Sequence, residues 1–254
     1  MSPTLIPIDT GRKSPYMLEI THHEARIAQL PEALHGATFV HITDLHGGYG
    51  NTDPVYEEAI ARVNAIKPDL LLLTGDYIDD HAKNNYPIQE VLRRFEARLG
   101  VYGSFGNHDH RRGIVGTRRV LELAGVHILH NESVCLESGL WIAGVDDYYE
   151  GKPDLARTLA NVPDDATPIV LSHNPTLIEH VNGRRMLMLS GHTHGGQIML
   201  NRNIGVGALK FRYLSGLYRK PDGSQLIVSN GIGNWFPLRI NAPAEVLQLT
   251  LHRA

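Results

Sequence analysis

The 254-residue chain has a single cysteine, Cys135. That excludes an intrachain disulfide framework and any zinc site made of cysteines alone. No stretch approaches the roughly 18 uninterrupted apolar residues needed to cross a bilayer. The start, MSPTLIPIDTGRKSPYMLEI, lacks a positive segment followed by an apolar core, so no secretory leader is expected. Basic charge is not in excess either: 24 Lys and Arg face 27 Asp and Glu, a formal net of −3. A protein that coats nucleic acid is ordinarily more basic, so nucleic acid is not an expected partner. Internal repeats, low-complexity tracts and long Pro/Gly/Ser linkers are missing too. Together these absences predict one domain over 1–254, with residues 1–36 as an N-terminal extension carrying an edge strand and 37–254 as the core unit.

What is present suits a soluble globular chain. The hydrophobic share of 42% is enough for a full-sized core. ATFVHITDLH (37–46) reads as a buried β-branched strand breaking into a loop, and DLLLLTGD (69–76) as a second one. Between them, Val55, Ala59, Val63 and Ile66 recur at helical spacing after Asp53-Pro54. Ile88, Val91, Leu92, Phe95 and Leu99 predict a further helix. GVYGSFGNHDH (100–110), TPIVLSHNP (167–175) and RMLMLSGHTHGGQ (185–197) add three strand-and-loop units, and residues 17–28 could form an edge strand. The early β-α-β-α-β order predicts an α/β fold with mainly parallel pairing and both sheet faces covered.

The residues just past each buried strand carry the chemistry. They are Asp44 and His46, then Asp76 and Asp79, then Asn107, His108 and Asp109, then His173 and Asn174, then His192 and His194. In open α/β sheets, ligands bind in the crevice beyond the carboxyl ends of strands, so these side chains should converge. Clustered Asp, His and Asn without cysteine suit borderline-to-hard divalent cations such as Mn²⁺, Fe²⁺, Zn²⁺ or Co²⁺. The two-apart pairs Asp44/His46 and His192/His194 would point to one side of an extended loop. The donors outnumber what one tetrahedral ion needs, which favours two ions. GHTHGGQ is the most specific block, because its glycines let backbone approach the ions closely.

D-x-H, G-D, G-N-H-[DE], a lone His and G-H-x-H occur here in order, across residues 44–194. This pattern resembles the calcineurin-like metallophosphoesterase superfamily. The tail FRYLSGLYR…SNGIG…FPLRINAPAE is similar to a bacterial subgroup containing membrane-associated phosphodiesterases and a UDP-diacylglucosamine pyrophosphatase. The resemblance implies a four-layer α-β-β-α sandwich of two mixed, mainly parallel sheets and a catalytic core with two divalent ions, Mn, Fe or Zn. It places one ion on Asp44, His46 and His194 and the other on Asn107, His173 and His192, with Asp76 bridging them. Asp79 would orient His108, which would bind phosphate or protonate the departing oxygen. The implied activity is phosphoric-ester hydrolysis by in-line attack of a metal-bridging hydroxide on phosphorus.

Phosphodiester or pyrophosphate cleavage is the first expectation. A phosphomonoesterase, including a phosphoprotein phosphatase, is the alternative, and a metal-poor binding scaffold a more distant one. The expected partner is a small-molecule or lipid-linked phosphate ester. His110, Arg111 and Arg112 follow GNHD and are candidate phosphate contacts. From His180 to Pro221 there is no acid, while Arg184, Arg185, Arg202, Lys210, Arg212, Arg219 and Lys220 appear. Aromatics and leucines mixed into 209–220 suggest an interfacial segment, competing with an ordinary solvated basic face. The expected location is cytoplasmic, with peripheral contact at the inner membrane.

Overall fold

The computed structural model describes residues 18–48, 53–82, 87–181, 183–201, 204–205, 207–234 and 238–254. The chain opens with β1 (Leu18–Ile27) and then alternates strands and helices. These are β2 (Thr38–Ile42), α1 (Asp53–Ile66), β3 (Leu70–Thr74), α2 (Ile88–Leu92), β4 (Val101–Ser104), α3 (Asn107–Arg112), α4 (Ile114–Leu123) and β5 (Val126–Ile128). A strand-rich half follows: β6 (Glu132–Cys135), β7 (Trp141–Gly144), α5 (Leu155–Thr158), β8 (Ile169–Leu171) and β9 (Leu187–Ser190). Then come a small hairpin of β10 (Met199–Asn201) and β11 (Ile204–Gly205), and β12 (Gly216–Arg219) and β13 (Gln225–Val228). The last strand, β14 (Ala244–Arg253), returns to lie between β1 and β2.

Two six-stranded sheets result, ordered β1-β14-β2-β3-β4-β5 and β12-β13-β9-β8-β7-β6. Helical crossovers make β2 to β5 parallel. In the second sheet, β7, β8, β9 and β13 are also parallel neighbours. Only β14–β2, β12–β13 and β6–β7 run antiparallel within the two sheets. The expected edge strand is β1, paired along its length with β14; Met17 lies outside the described residues.

Strand alternation sorts the apolar side chains into layers. Leu70 and Leu72 of β3 join Phe39, Leu187, Leu189 and Leu247 in the core between the sheets. Leu71 and Leu73 face the other way, onto Val55, Ala59 and Val63 of α1. Behind the second sheet, Val170, Met188 and Val228 pack on Leu177 and Ile178. The molecule is thus the α-β-β-α sandwich that the family resemblance implies, with the mainly parallel pairing that the buried runs predict.

The helix expected across Ile88–Leu99 stops at Leu92. Asn64 explains the stop, since its side chain donates to Arg94 O at 2.8 Å and accepts from Glu96 N at 3.0 Å, replacing helical partners. Leu99 then belongs to the layer between the sheets, while Ile88, Val91, Leu92 and Phe95 belong to the outer one. One periodic pattern had merged two layers.

Candidate metal centre

The exits of β2, β3 and β4 meet those of β8 and β9 at one end of the sandwich. Past the end of β2, backbone pairing with the β3 loop continues. Asp44 N donates to Gly75 O at 3.1 Å and His46 N to Asp76 O at 3.0 Å. Here the extended-loop expectation needs correction. Asp44, His46, Asp76, His192 and His194 all have positive φ, between 49° and 70°. They are five of the ten non-glycine residues in that region among those described. Left-handed turns, rather than strand alternation, aim these side chains inward. Such backbone is uncommon outside glycine and clusters at functional sites. Close approach demands glycine nearby: a Cβ on Gly106 would collide with Asp76 Oδ1, and one on Gly191 with Asp44 Oδ2.

Each carboxylate commits one oxygen to the protein and turns the other inward. Asp44 Oδ2 accepts from Thr43 Oγ1 and His192 N, both at 2.9 Å. Its Oδ1 lies 3.3 Å from His194 Nε2 and 3.8 Å from His46 Nε2. The two imidazole Nε2 atoms are themselves 3.1 Å apart. Asp76 Oδ1 accepts from His108 N at 2.8 Å, leaving Oδ2 between His173 Nε2 at 3.0 Å and His46 Nε2 at 3.7 Å. His173 Nε2 is 3.2 Å from His192 Nδ1. Two donor clusters, Asp44–His46–His194 and Asp76–His173–His192, therefore adjoin.

The outer partners set tautomers. His46 Nδ1 faces Asp79 Oδ2 at 3.0 Å and His173 Nδ1 faces Thr74 O at 2.6 Å. Acceptors there hold the proton on Nδ1 and free Nε2 as a lone pair, the arrangement typical of metal-ligating histidine. Burial, with the His173 charge adding, pushes His192 down to about 3. Burial and the nearby His46 and Arg239 charges hold His194 well below the ordinary range, so both are neutral donors. Burial opposes ionisation of Asp44 and Asp76, but the surrounding histidines outweigh it and keep both carboxylates ionised. Asn107 Oδ1 and His192 Nε2 are buried without a hydrogen-bond partner. Orphaned donors beside ionised carboxylates and neutral imidazoles fit divalent cations of the Mn, Fe or Zn kind.

The acid paired with His108 differs from expectation. His108 Nδ1 lies 2.9 Å from Asp80 Oδ1 but 3.9 Å from Asp79 Oδ2, because Asp79 is turned toward His46. His110 Nε2 lies 2.6 Å from Asp146 Oδ1, Arg111 pairs with Glu150 at 2.8 Å, and Arg112 donates to Asp79 O at 3.1 Å. All three thus have protein partners. Much of the basic stretch is structural as well. Lys220 donates to Ile178 O and Val181 O, Arg184 to Leu159 O and Pro163 O, and Arg212 to Glu179. Within 209–220, Leu214 is buried and Leu217 packs on the layer between the sheets. Arg202 lies outside the described residues.

Two residues of the centre were given no role by the motif reading, although Asp109 stood among the strand-exit residues. Asp109 Oδ2 accepts from Gly106 N at 2.8 Å and Asp76 N at 2.9 Å, while its Oδ1 accepts from Tyr77 N at 3.1 Å. It ties the β3 and β4 loops together, and burial plus the Asp76 charge push it up to about 7. The GNHD block contained it, but only as a spelling variant. Arg239 packs on the outer side of His194, with Nη2 3.2 Å from Nδ1, and donates to Asn230 O and Ala242 O. The FPLRINAPAE block contained it, but only as part of a likeness in the tail, with no role attached.

Comparison with known proteins agrees with this geometry. The calcineurin-like phosphoesterase profile matches residues 37–196. The metallophosphoesterase YkuE of Bacillus subtilis is 31% identical over 93% of this chain and 86% of its own length. A metallophosphoesterase of Campylobacter jejuni is 32% identical over 88% of this chain, which spans only 61% of that protein. The UDP-2,3-diacylglucosamine pyrophosphatase LpxG of Chlamydia muridarum is 24% identical over 96% of this chain and 92% of its own. A dimetal phosphatase from Danio rerio shares the fold at 12% identity and a TM-score of 0.51, over 78% of this chain and 88% of that one. The chain belongs to the calcineurin-like phosphoesterase family, and its class is that of metal-dependent phosphoester hydrolases.

Proposed function

We propose that this protein hydrolyses a phosphodiester or pyrophosphate with two divalent cations in the centre just described. One would be held by Asp44, His46 and His194, and the other by Asn107, His173 and His192, with Asp76 shared. The observation that carries this reading is the inward oxygen of Asp76, set between His173 and His46. When bound, two such cations supply charge neutralisation at phosphorus and a more acidic water. The protein's own contribution is positioning. Asp79 and the Thr74 carbonyl hold His46 and His173 in their donor tautomers. Asn107 adds a neutral oxygen, which leaves its cation more electrophilic than a carboxylate would. His108, with Nδ1 at Asp80, would carry its transferable proton at Nε2 for the departing oxygen.

A lipid-linked substrate is the finer reading, and an apolar ring at the centre together with exposed apolar side chains supports it. The Phe211 ring stands 5.5 Å from that of His192, and Leu209, two residues away, is 93% exposed. Leu200, Ile204, Leu238 and Ile240 are exposed too. Backbone pairing of Ile198 with Ile240 brings the β10 segment beside residues 238–240. No helix among the described residues is long and apolar enough to cross a membrane. In this reading the exposed apolar side chains make peripheral contact with the cytoplasmic face of the inner membrane. The class test compares rates on bis-p-nitrophenyl phosphate and p-nitrophenyl phosphate with Mn²⁺, Fe²⁺ or Zn²⁺ added back separately. The diester should be favoured. Clear preference for the monoester would reverse the assignment in favour of a phosphomonoesterase.

A further inference from the structure

His192 meets two rings that are not histidines, Phe211 and Tyr149. Strands β7, β8 and β9 are parallel neighbours in register at Gly144, Leu171 and Leu189. The loop after β7 therefore leaves the sheet at the same end as the loop that carries His192. Tyr149 of that loop is 57% exposed, and its ring centroid lies 5.4 Å from that of His192. The row continues on both sides. Tyr148 stands 5.6 Å from Tyr149 and 5.4 Å from His180, with its hydroxyl 2.9 Å from His180 Nε2. Phe211 stands 5.5 Å from His192. Five rings, from His180 to Phe211, thus run in sequence with His192 among them.

A lone exposed tyrosine needs no explanation. This one is displayed on a loop fixed from beneath by buried polar groups. The Asp146 carboxylate accepts from Asp147 N at 2.9 Å and Lys152 N at 2.7 Å, and meets His110 Nε2 at 2.6 Å and His130 Nε2 at 3.0 Å. Asp147 Oδ1 accepts from Tyr149 N at 2.9 Å and Glu150 N at 2.8 Å, and Asn131 Oδ1 from Asp146 N at 3.0 Å. A contact surface ordered before its ligand arrives loses less entropy on binding. The exposed side chains of Leu200, Ile204 and Leu209 suit an aliphatic chain. Tyr149, bordered by the Arg111–Glu150 ion pair at 2.8 Å, offers instead a flat face with a polar rim. We propose that Tyr149 is a specificity-determining residue, whose exposed face stacks on a flat ring in the substituent that stays on phosphorus when the other departs. The inference deepens the diester reading of the centre and rests on it.

Two soluble diesters test it, both losing p-nitrophenolate and retaining either phenyl or cyclohexyl. The two retained rings bury similar apolar area, so the ratio of their KM values isolates stacking on a flat face. Wild type with Mn²⁺ should show a KM about 3- to 10-fold lower for the phenyl ester, the size of one aromatic pair. Tyr149→Leu keeps apolar bulk without a ring and should bring the ratio close to one, and Tyr149→Phe should keep it. Equal KM values in wild type, or a ratio that survives Tyr149→Leu, would overturn the inference and leave the diester reading standing. Chelator-stripped Tyr149→Leu should take up Mn²⁺ as its parent does, measured by elemental analysis after dialysis against graded free Mn²⁺. A need for more Mn²⁺ would make the ring a support for His192 and overturn the inference as well. A wild type that hydrolyses neither ester would instead remove the diester reading, and this inference with it.

Discussion

The two sheets contribute to the centre unequally. The first sheet, through the exits of β2, β3 and β4, supplies the carboxylates Asp44 and Asp76 together with His46 and Asn107. The second, through β8 and β9, supplies three histidines, two of them held neutral by burial. Neither set is a complete site. Carboxylates alone repel one another, and neutral imidazoles alone bring no negative charge to offset that of two cations. The apolar layer of Phe39, Leu72, Leu189 and Leu247 brings them together, so packing between the sheets and assembly of the site are one event.

Substitution on each side gives the largest contrast. Asp76→Asn removes the charge proposed to be shared by the two cations and should lower turnover by about 10³-fold, the order of losing a principal transition-state stabiliser. It should also lower bound metal. His192→Ala removes one neutral donor from a half that retains His173 and Asn107. Its loss should be smaller and largely recovered in excess Mn²⁺. Steady-state rates across a Mn²⁺ titration decide between them. An Asp76→Asn enzyme as fast as its parent would end the assignment of roles by sheet.

The same contrast shows what could be read in the sequence. Strand exits and residue types were legible, because a buried apolar run followed by Asp, Asn or His is a local pattern. How the side chains are aimed was not. Asp44-x-His46 looks like strand alternation, yet both residues are left-handed turns whose φ is imposed by neighbouring loops. Asp79 and Asp80 are adjacent in sequence, and only the fold decides that the first meets His46 and the second His108. Leu214 and Leu217 read like the exposed Leu209, but Leu214 is buried and Leu217 packs on residues from remote strands. The role of Arg239 is illegible for the same reason: most of its partners are backbone carbonyls brought in by tertiary structure, with the His194 ring beside them.

The stability of the stripped protein and its gain from added metal should change with pH in opposite directions. Burial opposes charge on His46, but its contacts with Asp44, Asp79 and Asp76 outweigh this and push it up to about 9; His173 is raised as well. A raised histidine stabilises fully below its unfolded value near 6.5 and loses that contribution as pH climbs through the folded value. Neutralisation of Asp109 favours folding in the same direction, up to about 7. Chelator-stripped protein should therefore melt a few degrees lower at pH 9 than at pH 6.5. Cations compete with protons for His46 and His173, so the gain in melting temperature on adding Mn²⁺ should grow over the same interval. A stripped protein whose melting temperature rises from pH 6.5 to 9 would contradict the assignment of these charges.

The smallest effect should separate the metal centre from the apolar surface beside it. Leu209 is almost fully exposed, whereas Phe211 reaches His192. Leu209→Ser leaves the donors untouched, so kcat and KM on soluble bis-p-nitrophenyl phosphate should not change. On a long-chain alkyl p-nitrophenyl phosphodiester presented in mixed micelles, a leucine that inserts even partly contributes about 1 kcal/mol. That corresponds to KM rising roughly three- to tenfold with kcat unchanged. Equal KM values for wild type and variant on the micellar substrate would show that the exposed leucine does not meet the lipid phase. A loss on both substrates would place Leu209 in the support of the centre rather than in substrate docking.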